Sequence, residues 1–166
     1  SSASIEVLMA YIVKDLFDIN ISLKEIALLC QYAENKYVGV NCGIMDQFAS
    51  AMGKANHAIF LDCKDLSYKL VPLNLKGCKI VISNTNKKRS LAHSKYNERR
   101  SECEQGLKIL KESLPQVSCL GEITLEQFNT YKHTIKDEIV RKRVEHVISE
   151  DDRVLKSIEA LNNNDI

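Results

Sequence analysis

The spacing of apolar residues changes twice along this chain, and this change limits the folds that the chain can adopt. Apolar residues first recur at helical spacing, at Ile5, Leu8, Met9, Ile12, Val13, Leu16 and Phe17. Short runs rich in Ile, Val and Phe follow at residues 57–62, 68–73 and 79–83. Helical spacing returns at Cys103, Leu107, Leu110 and Leu114. The pattern predicts a first helix buried along one stripe, then three strands, then further helices, which is an α+β fold rather than a series of βαβ units.

Two capping boxes mark where helices begin. Ser22 and Glu25 stand three residues apart before an apolar stretch, and Thr124 and Gln127 repeat this arrangement. In such a box each side chain accepts a hydrogen bond from the backbone N–H of the other residue. The first box predicts a helix that runs to about Tyr37.

Three other boundaries rest on single residues. A short helix is predicted over residues 44–52, ended by Gly53 in a left-handed cap. Pro115 is predicted to end the helix that starts near Ser94, and Ile135 to open a long final helix.

Composition excludes several classes of protein. Lys+Arg number 23 and Asp+Glu 22, so the net charge of +1 gives no general attraction to nucleic acid or membrane surfaces. No apolar run reaches the roughly 18–20 residues that span a bilayer, and the first 20 residues lack the basic start, apolar middle and small-residue cleavage site of a signal peptide. The six cysteines form no C-x-x-C pair, so we expect reduced thiols and no zinc site. These features predict a cytoplasmic protein with no nucleic-acid or membrane partner.

The start of the chain is the first candidate site. Ser1, Ser2 and Ala3 are small residues at the predicted N-terminus of a helix, where free backbone N–H groups and the helix dipole favour phosphate. A serine hydroxyl there can also reach a metal ion. An ordinary serine N-cap explains the same residues.

Two acidic residues are further candidates. Asp46 is the only charged residue between Gly39 and Gly53, and a partly desolvated carboxylate there could take a proton from a substrate hydroxyl. Glu34 could supply an oxygen ligand to magnesium. The alternatives are that Asp46 caps a short helix and that Glu34 faces solvent.

Residues 87–100 carry Lys87, Lys88, Arg89, Lys95, Arg99 and Arg100 against the single acidic residue Glu98. Such a patch could bind phosphate or RNA. Tyr96 is the only aromatic residue in the patch, whereas base stacking uses several aromatic residues interleaved with basic ones. A solvated loop and helix start is therefore the favoured interpretation of the patch.

Four segments, taken in order, carry a specific resemblance. They read SSASIEV at 1–7, GIMDQFASAMG at 43–53, HAIFLDCKDLSYKLVPL at 57–73 and SNTNKKRSLAHSKYNERRSECE at 83–104. These segments resemble the signature segments of the galactokinases, within the GHMP small-molecule kinase family. The resemblance implies a two-domain fold with helices on mixed or antiparallel sheets. Residues 1–74 would belong to its N-terminal domain and residues 75–166 to its C-terminal domain, both incomplete.

The resemblance also implies roles for individual residues. Ser1, Ser2 and Ala3 match the end of the phosphate loop that faces ATP. Ser2 and Glu34 match positions implicated in magnesium binding. Asp46 matches the catalytic carboxylate. Gly43 and Tyr96 match sugar-contacting positions.

The implied activity is transfer of the γ-phosphoryl group of ATP to the anomeric hydroxyl of galactose, within galactose metabolism. The family's sugar-binding arginine would precede Ser1 and its third, glycine-rich motif would follow Ile166, so we expect the isolated chain to be inactive. Two alternatives remain open. One is a regulatory sensor that binds ATP and galactose without turnover, and the other is a sister kinase for N-acetylgalactosamine, galacturonate or arabinose.

Overall fold

A computed structural model describes residues 2–86 and 92–165 of the chain. It divides into two compact units, Ser1–Asn86 and Lys87–Ile166. The assignment of residues 1–74 and 75–166 to the two domains of a kinase stays a prediction. The α+β fold class is confirmed, since helices in both units accompany a small antiparallel sheet in the first.

The first unit opens with three packed helices. Helix α1 spans Ser2–Leu16, α2 spans Leu23–Ala33, and α3 spans Met45–Met52. A π-helical segment, Glu34–Val38, extends α2 and ends at Gly39, whose φ of 82° is the left-handed conformation that glycine adopts without strain. The first capping box is confirmed, with the Glu25 backbone N–H donating to Ser22 Oγ at 3.2 Å.

The core of this unit lies where α2 meets α1 and α3. Val7 of α1 packs on Ile26 and Cys30, and Phe48 of α3 packs on Ala27 and Ile44. The prediction of a buried stripe along α1 is wrong for most of its residues. Only Ala3 and Val7 of α1 are buried, whereas Ile5, Leu8, Met9, Ile12, Val13 and Leu16 are exposed, and so is Phe17 just after it, because no described element covers that face.

Two of the predicted strands form a hairpin. Strand β1, His57–Leu61, pairs antiparallel with β2, Tyr68–Pro72, with Ile59 opposite Leu70. The Tyr68 ring meets Phe48 edge to face, with centroids 5.3 Å apart, and so joins the hairpin to α3.

Two expectations for the first unit are wrong. The run 79–83 forms no strand, because a strand needs a pairing partner and the described residues offer none; Val81 and Ile82 are exposed. Gly53 has a φ of −56°, so it is no left-handed cap. Its N–H donates to the Ala49 carbonyl, and the chain then leaves α3 in an extended conformation.

The second unit is helical within its described residues. Helix α4, Ala92–Leu110, packs on the long helix α6, Glu138–Asn162, and the short α5, Leu125–Tyr131, packs against α6. The Thr124–Gln127 capping box is confirmed. Helix α4 ends at Leu110, before Pro115. Helix α6 starts after Ile135, because the Asp137 side chain caps it by accepting hydrogen bonds from two N–H groups of its first turn.

A dense apolar core holds this unit together. Its fully buried members come from all three helices and the segments between them: Leu110, Phe128, Ile135, Val144 and Ile148. Gly106 lies where α4 crosses α6, and Arg143 pairs with Glu102 across the same contact at 2.7 Å. Among the helices described in either unit, none combines the length and the apolar character needed to cross a membrane.

Candidate functional site

The N-terminus of α1 provides a place for an anion. Helix α1 begins at Ser2, which is exposed, and no acidic residue occupies its first turn. Ala3 is buried, so its small side chain lets this turn lie close against the rest of the unit. Free N–H groups and the helix dipole attract phosphate at such an end. Ser1 lies outside the described residues, so its expected phosphate contact stays a prediction.

Asp46 lies in the first turn of α3 and its side chain is exposed. The N-cap of α3 is Ile44, and no side chain caps this helix, so the alternative that Asp46 is a capping residue is not supported. The sequence predicted that the Asp46 carboxylate is partly desolvated. Within the described residues this prediction is wrong, because the Asp46 side chain faces away from the core while Phe48 faces into it. Gly43 lies exposed three residues before Asp46.

Glu34 is buried, with 7% of its surface exposed, which contradicts the solvent-facing alternative. Its carboxyl group is hydrogen-bonded with that of Glu6 from α1, and Glu6 also hydrogen-bonds with the Gln47 side chain from α3. Burial first, and then the hydrogen bond with Glu34 and its charge, raise the pKa of Glu6, whereas the bond with Gln47 lowers it. One polar cluster therefore joins α1, the end of α2 and α3.

The loop before α3 is fixed by side chains of α2 and the π-helical segment. Gln31 Nε2 donates to the Cys42 carbonyl at 3.2 Å, and the Cys42 thiol donates to Asn35 Oδ1 at 3.4 Å. Burial raises the pKa of the Cys42 thiol. The backbone that leads through Gly43 to Asp46 is therefore held in place.

The structure brings several of the predicted residues to one end of the first unit. Ser2 and Glu6 are four residues apart on α1 and so lie on one face of that helix, and Glu6 contacts Glu34. Gln47, the residue after Asp46, connects Glu6 to α3 through its side-chain hydrogen bond with Glu6. The N-terminus of α1, Glu34 and the turn that carries Asp46 are thus neighbours.

Tyr96 lies on α4 in the second unit, with 45% of its surface exposed. Its contact with sugar stays a prediction. Lys87, Lys88 and Arg89 of the basic run lie outside the described residues. Lys95 pairs with Glu98 and Arg100 with Glu104, each at 2.7 Å on the surface of α4, as in a solvated helix face.

The oxygen donors in the first unit suit magnesium. This ion takes one or two carboxylates, keeps several waters, and binds substrate phosphate. Ser2 and Glu34 supply a hydroxyl and a carboxylate near the anion-attracting end of α1. No group of three His, Cys, Asp or Glu side chains in the described ranges forms a complete metal cage, so phosphate and water would supply the remaining ligands.

Sequence reasoning did not identify Glu6 and Gln47. A signal was present for Glu6, because it is the only charged residue among the first thirteen of the chain. Gln47 gave no such signal, since a glutamine beside a helix start is usual on a protein surface. It is 3% exposed.

Comparison with known proteins confirms the resemblance. Residues 1–54 match the family described as GHMP kinases N terminal domain. The whole chain is 54% identical to a galactokinase of Clostridium beijerinckii and 51% identical to one of Fusobacterium nucleatum, covering 42% and 43% of those proteins. Among solved structures it is similar to Lactococcus lactis galactokinase complexed with galactose, with a TM-score of 0.91 and 42% identity over 98% of this chain and 42% of that one. The chain therefore spans less than half the length of these relatives.

Proposed function

We propose that the protein carrying this chain is a galactokinase, which transfers the γ-phosphoryl group of ATP to the anomeric hydroxyl of galactose. The products are galactose 1-phosphate and ADP, and the protein would act in the cytoplasm. The observation that carries this proposal is the match of the entire chain to galactokinases at 54% identity.

Asp46 is the proposed catalytic base. It orients the anomeric hydroxyl and accepts its proton as that oxygen bonds to the γ-phosphorus and the bond to the ADP oxygen breaks. Its exposed place in the first turn of α3 leaves the carboxylate accessible to a sugar hydroxyl. Gly43, just upstream, and Tyr96 are the proposed sugar contacts.

The N-terminus of α1 is the proposed phosphate site. Backbone N–H groups at Ser1, Ser2 and Ala3 would bind the ATP phosphates, while Ser2 Oγ and the Glu34 carboxylate would hold magnesium. When bound, the ion supplies charge neutralisation at the phosphate oxygens. The chain itself contributes placement and fixed dipoles, which carry most of the catalysis in phosphoryl transfer.

A sugar panel tests this proposal. ADP release by the full-length protein that carries this chain would be measured with ATP, magnesium and either galactose, N-acetylgalactosamine, galacturonate or arabinose. Turnover with galactose above the other sugars supports the proposal. Preference for another sugar would make the protein a sister kinase, and binding of ATP and galactose without ADP release would make it a sensor.

We also propose that the 166-residue chain alone does not turn over. Galactose-dependent ADP release from the isolated chain would contradict this part of the proposal.

A further inference from the structure

A buried polar cluster lies beneath the proposed phosphate site. We define it by Glu6, Glu34 and Gln47, one residue from each of three packed segments. Within the described part of the chain, Glu6 Oε2 and Gln47 Oε1 are shielded from solvent and have no hydrogen-bond partner. Glu34 and Gln47 are therefore buried, Glu6 is partly buried, and the hydrogen-bonding capacity of Glu6 and Gln47 is only partly used.

Such a cluster is costly for a fold that needs only a packed core. Well-packed apolar residues of similar size usually serve stability as well as, or better than, a buried polar network. The rest of this core follows that rule, because Val7 packs on Ile26 and Phe48 packs on Ile44 through apolar contacts. Stability alone therefore does not account for the polar cluster.

The backbone at Glu34 indicates which residue the cluster serves. Glu34 opens the π-helical segment, where the regular hydrogen-bond ladder of α2 widens. Single π-helical turns inside helices occur frequently at functional sites. The carboxyl group of Glu6 contacts the Glu34 side chain on this turn directly.

Gln47 connects this support to the turn that carries Asp46. Its side chain is buried toward Glu6, while that of Asp46, one residue earlier, is exposed. The loop before α3 is held by Gln31, and also by Gln47, whose Nε2 donates to Cys42 Sγ at 4.0 Å. Because Gln31 still holds this loop when Gln47 is changed, a Gln47 variant should leave α3 folded while removing the contact with Glu6.

We propose that Glu6 and Gln47 are positioning residues that hold the Glu34 carboxylate in place for the cation accompanying the nucleotide phosphates. This inference rests on the proposed function. Supporting groups behind a metal ligand fix its orientation, and their loss typically costs about 10- to 100-fold in metal affinity or activity.

The test uses Glu6→Ala, Glu6→Gln and Gln47→Met in the full-length protein. Glu6→Gln keeps the size of the side chain and supplies an N–H donor toward Glu34. Gln47→Met keeps the length without the amide. Asp15→Ala is the matched control, because Asp15 is an exposed acidic residue on the same helix.

Two measurements separate positioning from a merely structural role. The first is the Mg²⁺ concentration that gives half-maximal rate at fixed ATP, compared with the KM for galactose. The second is Mn²⁺ binding without nucleotide, followed by electron paramagnetic resonance. Melting temperatures of all variants show whether each is folded.

We expect Glu6→Ala and Gln47→Met to raise the half-maximal Mg²⁺ concentration by about 10-fold or more and to weaken Mn²⁺ binding. The KM for galactose should stay near the wild-type value. Glu6→Gln should restore most of the metal response, and Asp15→Ala should match the wild type.

Unchanged Mg²⁺ dependence and Mn²⁺ binding in Glu6→Ala and Gln47→Met would overturn the inference. So would a loss of rate that is equal at all Mg²⁺ concentrations and follows a loss of melting temperature. If the wild type shows no galactose-dependent turnover, the proposed function fails, while the Mn²⁺ measurement still decides whether Glu6 and Gln47 support a cation site.

Discussion

Gly106 allows a close contact between α4 and α6 in the second unit, and replacing it with alanine should destabilise that unit. A Cβ at this position would lie 2.2 Å from Val144 Cγ2 and 3.2 Å from Val140 Cγ1. Both neighbours are buried on α6, so they have no free space into which to move. Glycine is therefore required here by packing rather than by backbone conformation.

Two opposing free-energy contributions decide whether Gly106→Ala destabilises the unit. Forcing an extra carbon into a packed core costs about 1–3 kcal/mol. Alanine is favoured over glycine inside a helix by about 1 kcal/mol. Because 2.2 Å is far inside van der Waals contact, we take the upper part of the overpacking range, about 2–3 kcal/mol, which leaves a net loss of about 1–2 kcal/mol of unfolding free energy.

A tryptophan reporter makes the assay specific to the second unit. The chain contains no Trp, so Tyr131→Trp, at the edge of the core containing Leu110 and Phe128, gives a fluorescence signal from this unit alone. Urea denaturation in this background compares Gly106→Ala with Gly121→Ala, the matched control. A Cβ on Gly121 would have no neighbour nearer than 3.9 Å.

A double-mutant cycle tests the cause of the loss. Val144→Ala removes the atom that the new Cβ would strike, so the double variant should be more stable than the sum of the two single losses predicts, by at least about 0.5 kcal/mol. A Gly106→Ala variant that is more stable than the wild type, or effects that simply add, would refute the close contact between α4 and α6.

Two further predictions concern the first unit. Ser22→Ala should cost about 1 kcal/mol of stability, measured by thermal denaturation, because the capping box loses its serine. Hydrogen bonds from Ser22 lower the pKa of Glu25, so the contribution of the Glu25 carboxylate to the box is present at neutral pH and is lost as the pH falls through that lowered value. An equal cost of Ser22→Ala at pH 7 and in strong acid would contradict this coupling. Among the thiols of this chain, Cys63 and Cys78 are exposed, and we expect Cys78 to react first with Ellman's reagent. Cys63 should follow more slowly, because desolvation first and then the charge of Asp62 raise its pKa, and replacing both with serine should remove these fast phases. Cys30 should react slowly and accelerate as the pH rises, because burial first and then the charge of Glu6 raise its pKa; a fast phase that persists in the double serine variant would contradict this order.

Local signals accounted for the elements that were correctly predicted. The capping boxes at Ser22 and Thr124 set helix starts through hydrogen bonds made within four residues. The two strands of the hairpin were predicted from short runs rich in Ile, Val and Phe, whereas their pairing with each other was not. By contrast, the run 79–83 has strand composition but no pairing partner among the described residues, and composition alone does not supply one.

In the candidate site too, local sequence signals identified some residues, while others depend on contacts between distant parts of the chain. Asp46 and the start of α1 could be selected from the sequence because an isolated charge and a cluster of serines stand out from their surroundings. The burial of Glu34 could not, since it depends on Glu6 and Gln47 from two other helices. The sequence also gave no sign that the helix containing Glu34 would widen into a π-helical turn.

The most direct test of the central claim is galactose-dependent ADP release by the full-length protein, compared between the wild type and Asp46→Asn. Asparagine keeps the shape of the side chain but cannot accept the proton, so we predict a loss of about 100- to 10,000-fold in kcat, with a melting temperature close to that of the wild type. Asp15→Asn, the matched change at an exposed aspartate of α1, should leave kcat unchanged. Turnover in Asp46→Asn equal to that of the wild type would contradict the assignment of Asp46 as the catalytic base.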